Sequence, residues 1–200
     1  MHISLIQAVL IAIFYYLSWS PWLTYVGFFT WNRPLLAGFV TGIILGDPVQ
    51  GAIIGAGINM IYLGFISAGG AQMGDPAFAG YVGTALAIAS KLDVSTAMAI
   101  AVPLGTVATV LWIGKMTVNS FFAHWADREV QKGNVDRVAF INIVPPQILL
   151  FAMSFIPALL VVYFGPNAID GMLEVMNDNV LHVFNVIGAM LPALGIAMNL

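Results

Sequence analysis

Long stretches without a charged side chain divide this sequence. Met1 to Asn32, Pro48 to Gly74, Val94 to Gly114, Val138 to Ile169 and Asn179 to Leu200 contain no Asp, Glu, Lys or Arg. Several of them reach the roughly 20 apolar residues that a helix needs to cross a hydrocarbon core of about 30 Å. Across the 200 residues, apolar side chains make up 60% and charged ones 8%, and mean hydropathy is +0.96. Soluble domains carry roughly 45–50% and about 25%. So little charge does not cover a water-facing surface. The pattern predicts an all-α, polytopic helical membrane protein, because only helices and closed barrels satisfy every backbone group inside a bilayer.

Composition also removes several kinds of chemistry. A net charge of −3 argues against nucleic acid, whose phosphates need concentrated Lys and Arg. No cysteine is present, which excludes disulfides, thiolate metal sites and a phosphocysteine relay. The three histidines, His2, His124 and His182, show no metal-ligand spacing, and packing or interfacial roles suit them better than zinc or phosphate. No phosphate loop, dinucleotide fingerprint or nucleophile triad can be assembled. The residues therefore predict no catalytic group, cofactor or metal. The N-terminus lacks a basic region and cleavage site, so its apolar run reads as a retained helix. The final MLPALGIAMNL stops within an apolar segment, and a further C-terminal portion is expected.

Taken in order, residues 4–30 predict a first span, kinked at Pro21. Tyr15, Tyr16, Trp19, Trp22, Tyr25 and Trp31 crowd its second half as an interfacial aromatic belt does. Two apolar segments, 35–45 and 77–90, are too short to span and read as broken or re-entrant helices. Val94 to Thr117 predicts a full span. The polar block 119–137 (NSFFAHWADREVQKGNVDR) holds or adjoins Lys115, Arg128, Lys132 and Arg137, four of the six basic residues. It reads as a cytoplasmic loop by the positive-inside rule, with Phe121, Phe122 and Trp125 suggesting an interfacial helix capped near Gly133-Asn134. Ala139 to Phe164 returns, bent at Pro145-Pro146 and Pro157. Asp170, Glu174 and Asp178 then mark an outer-face loop, and residues 180–200 begin another span.

The stretch from Gly46 to Ala87 organises the rest. It is apolar and rich in glycine, yet it carries Asn59, Gln72 and Asp75, which must find partners in protein or a watery cavity. Gly38, Gly42 and Gly46 recur every fourth residue, and Gly51, Gly55, Asn59 and Tyr62 share one helix face, so close helix packing should shape a cavity beside that face. The run SAGGAQMGDP reads as an unwound turn, with Asp75-Pro76 starting a second short helix. Asp47 reads as an end cap. Asp75 has two readings, a helix cap and a carboxylate accepting from solute hydroxyls. Asn59 and Gln72 are candidates either for inter-helix hydrogen bonds or for ligand contact. Amides and one carboxylate, with no aggregate of positive charge, suit a neutral polyhydroxy solute. The substrate-binding candidates are Asn59, Gln72 and Asp75.

The runs RPLLAGFVTGIILGD, GAIIGAGINMIYLGF and AGGAQMGDPAFA resemble the IIC membrane subunit of the mannose/fructose/sorbose family of the bacterial sugar phosphotransferase system. The block HWADREVQKGN is similar to that family's His-x-Ala-Asp segment ending in Gly-Asn, and the likeness covers essentially all 200 residues as a single transmembrane domain. It implies a permease subunit in the bacterial cytoplasmic membrane that binds and passes a hexose-class sugar and is not itself an enzyme. The resemblance further implies a IID membrane partner, phosphate arriving from phosphoenolpyruvate through soluble IIA and IIB subunits, and an oligomer of IIC–IID pairs. Two departures leave the sugar's identity open. Asn59 stands where several members carry Glu, and Gly74 precedes Asp75 where many have Pro. The residues alone leave two rivals: an ion-coupled transporter for a small neutral solute, and a non-transporting membrane subunit.

Overall fold

The computed structural model describes residues 2–23, 26–65 and 72–198. Seven helices carry the architecture among these residues: α1 (Leu5–Trp19), α2 (Pro34–Leu45), α3 (Pro48–Tyr62), α4 (Pro76–Ala89), α5 (Val94–Gln131), α6 (Val135–Val175) and α7 (Asp178–Ala197). Three of them, α5, α6 and α7, are long and apolar enough to cross a membrane. The expected short helices are present as α2 and α4, at nearly the expected bounds.

Local chemistry explains most of the helix starts. Ser4 and Gln7 close a capping box on α1, and Asp47, Asp75, Asp93 and Asn177 each accept from a backbone amide in the first turn of α3, α4, α5 and α7. Proline occupies the first helical position of α2, α3 and α4, where its missing N–H costs nothing. Asp47, expected as an end cap of the helix before it, instead caps the start of α3, and Gly46 closes α2. Gly46 adopts φ +89° at the end of α2, a left-handed conformation that glycine accommodates without strain.

α2 and α3 pack as a hairpin with backbone against backbone. A Cβ added at Gly38 would lie 2.5 Å from the Gly51 carbonyl oxygen and 2.7 Å from Gly55 Cα. One added at Gly42 would lie 2.5 Å from the Asp47 oxygen. The seam therefore consists of Gly38, Gly42, Gly51 and Gly55, whereas Gly46 serves the turn and takes no part in the close contact. Residues 77–87 of α4 are buried without a break, so this short helix is the axis of the molecule. On one side Tyr81, Ala85 and Leu86 meet Ile11 and Tyr15 of α1, Ala37 of α2 and Val162 of α6. On the other, Ala79 and Ala87 join Ile54 and Ile58 of α3 and Met98 and Ala101 of α5. Ile148, Phe151, Ile156, Leu160 and Phe164 of α6 point outward, the arrangement a lipid-facing helix requires.

Further expectations need correction, among them the outer-face loop, since Asp170 and Glu174 lie within α6. The first helix stops at Trp19 and does not run to residue 30: Ser20 turns extended (φ −72°, ψ 129°) ahead of Pro21, as steric clash with a following proline demands. A 3₁₀ turn (Pro21–Leu23) and a π turn (Gly27–Trp31) follow. Tyr15 is 2% exposed inside the core and so is no interfacial anchor. The polar block 119–137 holds the helix expected to end near Gly133-Asn134, but that helix is not a separate interfacial one. α5 runs unbroken through it to Gln131, and α6 begins at Val135 after a turn in which Gly133 has φ +75°. Of the expected unwound turn, residues 66–71 lie outside the described residues, as does Tyr25. Residues 72–75 are non-helical.

Candidate functional site

The start of α2, the end of α3 and the segment leading into α4 converge at one end of the glycine-seamed hairpin. Between them lies a cavity of about 240 Å³, lined by Asn32, Arg33, Pro34, Asn59, Tyr62, Phe65, Gln72, Met73, Gly74 and Pro76. Each polar member is delivered by an element end. Asn32 and Arg33 are set by the π turn that runs into Pro34, Asn59 and Tyr62 sit on the last turn of α3, and Gln72 lies on the non-helical approach to Asp75. Asn59 and Gln72, both candidates from the sequence, are brought together here.

The wall has unmet hydrogen-bonding capacity. Asn32 Nδ2, the Tyr62 hydroxyl and Gln72 Oε1 are buried and have no hydrogen-bond partner among the described residues. Buried polar atoms without partners are uncommon in folded proteins, and each costs about 1–3 kcal/mol. All three belong to residues that line one cavity and sit just behind its surface, where a side-chain rotation would present them to a polar solute. Tyr62 is held there by glycine. A Cβ at Gly105 of α5 would collide with its hydroxyl, and one at Gly74 would lie 2.9 Å from Cε1 of its ring. Asn32 and Arg33 were not singled out from the sequence as site residues. Tyr62 was placed on the inward face of α3 but not as a contact, although its position one turn beyond Asn59 carried the signal.

Asp75 sits behind this wall and is absent from the cavity lining. It is 3% exposed, and its carboxylate is engaged at both oxygens: Oδ1 accepts from the Phe78 amide at 2.8 Å, Oδ2 from the Tyr15 hydroxyl at 2.6 Å. Its own amide donates to the Gly105 carbonyl at 2.8 Å. One residue thus ties α1, α4 and α5 together directly beneath the segment that carries Gln72. On its far side a small recess is lined by Asp75 and Tyr15 with Trp19, Trp112 and Lys115. The Lys115 ammonium lies 3.8 Å from the Trp112 ring centroid and 5.3 Å from that of Trp19. This lysine, which the sequence groups with the polar block, therefore turns inward against aromatic faces that attract a cation.

The tip of the α5–α6 hairpin is organised by Glu129. Its carboxylate accepts from Lys132 Nζ at 2.8 Å and from Asn134 Nδ2 at 3.0 Å, and Arg137 lies 3.7 Å away. These hydrogen bonds, Lys132 first and Asn134 next, hold its pKa below the usual carboxylate value. His124 lies on the exposed part of α5, with Nδ1 2.6 Å from the Ser120 carbonyl oxygen of its own helix.

Comparison with known proteins gives a consistent set of relatives. Residues 5–200 match the family described as the sorbose-specific IIC component of the PTS. The sorbose-specific EIIC component of Lacticaseibacillus casei is 32% identical over 204 residues, covering 99% of this chain and 71% of that protein. The mannose-specific EIIC component of Escherichia coli (strain K12) is 34% identical over 172 residues, covering 85% of this chain and 64% of that protein. This chain thus spans just under two thirds of the mannose relative's length. Among solved structures, one described as a membrane protein superposes with TM-score 0.82 at 31% identity over 98% of this chain and 79% of that one. A structure of the mannose transporter ManYZ in complex with microcin E492 gives TM-score 0.73 at 32% identity, over 99% and 79%.

Proposed function

The chain belongs to the sorbose-specific IIC component family of the phosphotransferase system, and from that premise we propose that it binds a neutral hexose-class sugar and passes it across the bacterial cytoplasmic membrane. The observation that carries this reading is the cavity itself, where Asn59 and Gln72 face a space ringed by buried polar atoms without partners. At about 240 Å³ it is smaller than the roughly 300–1,000 Å³ pockets that hold drug-sized ligands, which suits a single small polar solute. A sugar hydroxyl both donates and accepts. A side-chain amide does the same, so Asn59 and Gln72 can each pair with hydroxyls in either sense. Asp75 enters this reading through position: its cap and its bond from Tyr15 fix the segment that presents Gln72 and Gly74.

In this reading the chemistry of phosphorylation belongs elsewhere. The sugar receives phosphate from a separate IIB subunit supplied by IIA, and this chain carries no phosphorylation site of its own. A IID subunit is its membrane partner, and the assembly is an oligomer of IIC–IID pairs, as the family resemblance implies. The polar α5–α6 tip is cytoplasmic by its basic residues. The relatives' names favour this reading over an ion-coupled porter.

The test is equilibrium binding of labelled hexoses and amino sugars to the purified complex of this chain with its IID partner. One sugar should bind saturably, and Asn59→Ala and Gln72→Ala should each weaken it about tenfold, the equivalent of about 1.4 kcal/mol, with abundance unchanged. Unaltered affinity in both variants would remove the sugar from this cavity.

A further inference from the structure

The cavity is chemically lopsided, and its α2 side carries the one cationic side chain of its lining. Arg33 contributes a guanidinium, which carries N–H groups and no acceptor. Asn32, 6% exposed, contributes a buried Nδ2 with no partner among the described residues. Pro34 has no N–H and the Arg33 side chain makes no capping bond, so the Leu35 and Leu36 amides open α2 without a side-chain cap. The arginine is also on the wrong end of its helix. The N-terminus of a helix carries partial positive charge, which a cation there opposes and an anion relieves. Arg33 forms no ion pair among the described residues, and the lining of the cavity includes no carboxylate.

We propose that Asn32, Arg33 and the uncapped first turn of α2 form an anion subsite at the rim of the cavity, which takes the phosphoryl group of a phosphate monoester, the phosphorylated form of the sugar the cavity binds. The inference rests on the sugar-binding reading above. Guanidinium pairs with phosphate through two parallel N–H bonds, and an amide N–H with the helix start completes a donor set around the remaining oxygens. The opposite wall, with Asn59, Tyr62 and Gln72, is left to the sugar hydroxyls. One compact site thus accommodates both neutral sugar and its ester. A single cation holds that ester loosely enough to leave.

The experiment uses the complex with its membrane partner in phosphatidylcholine nanodiscs. The bound labelled hexose is displaced with its own phosphate ester and, separately, with inorganic phosphate. The ester should compete, and Arg33→Gln should weaken the ester at least tenfold more than it weakens the free hexose. Arg33→Lys, which keeps the charge and loses the fork, should fall between. In the unmodified complex, ester affinity alone should decline as salt rises from about 0.05 to about 0.5 M, so the idea stays testable if the glutamine variant does not fold. Equal weakening of hexose and ester, or ester binding indifferent to both Arg33 and salt, overturns the subsite. Displacement by phosphatidylglycerol in the disc but not by the ester overturns it in favour of a lipid headgroup. Hexose binding without ester binding sinks this subsite alone, whereas failure of every hexose to bind sinks the sugar reading and the subsite with it.

Discussion

At the scale of single residues, the cavity and the carboxylate behind it divide the work. Asn59 and Gln72 face the open space, while Asp75 spends both oxygens on Phe78 and Tyr15. Asp75→Ala removes a cap worth about 0.5–2 kcal/mol and orphans a buried hydroxyl at about 1–3 kcal/mol. The expected outcome is a loss of about 2–4 kcal/mol of stability, seen as lower thermal stability and lower sugar uptake together; Asp75→Asn, which keeps an acceptor for the cap, should recover part of both. A selective loss of uptake at full stability would instead make Asp75 a direct sugar contact. Polar residues in an apolar run are conspicuous, so Asn59, Gln72 and Asp75 were legible in the sequence, as was the Asp-Pro helix start. Asn32 and Arg33 were not, because they sit at the end of an aromatic-rich segment and only the π turn brings them to the cavity. Tyr15 hid among aromatics that resemble an interfacial belt, and nothing in its spacing marks the partner sixty residues away.

At the scale of elements, the glycine seam and the long hairpin make opposite demands on the chain. Gly38→Ala sets a methyl against the Gly51 carbonyl and Gly55 Cα, both backbone atoms that no rotamer change can move. It should cost about 1–3 kcal/mol through overpacking and disturb the cavity at the hairpin's end; the checks are the yield of folded complex and its melting temperature, with Gly171→Ala, at an open position, as the control. The small-residue spacing made this seam readable in advance. The reach of α5 was not readable. At 1.5 Å per residue its 38 residues extend roughly 57 Å, beyond a hydrocarbon core of about 30 Å. Hydropathy reports where lipid ends, whereas a helix continues as long as propensity and pairing allow, so nothing in the sequence joins the helix expected in the polar block to the span before it. Glu129 organises that far end outside the lipid. Its lowered pKa means that its contribution is present above about pH 4.3, the unfolded value, and is lost as pH falls through the folded value. Proteolysis at the hairpin tip should therefore accelerate below about pH 4, and Glu129→Gln should show the accelerated rate already at neutral pH. A variant with the original pH profile would remove Glu129 from this role.

For the molecule as a whole, a buried short helix and a glycine-seamed hairpin hold the polar cavity between them, with the long helices packed behind. Fold class and family were legible because charge-free runs restrict a chain to membrane helices and because the Arg-Pro, Gly-Asp and Gly-Asp-Pro runs are distinctive. The tying of α1, α4 and α5 at Asp75 was not legible, since it depends on contacts about thirty and sixty residues apart that leave no local period. The central claim is that this frame passes a neutral sugar to be phosphorylated by another subunit. Its most direct test is uptake by vesicles that hold this chain with its IID partner, supplied internally with the soluble phosphocarriers and phosphoenolpyruvate. Sugar phosphate should accumulate and persist when an uncoupler removes the proton gradient; accumulation of free sugar that collapses with the gradient would contradict the account.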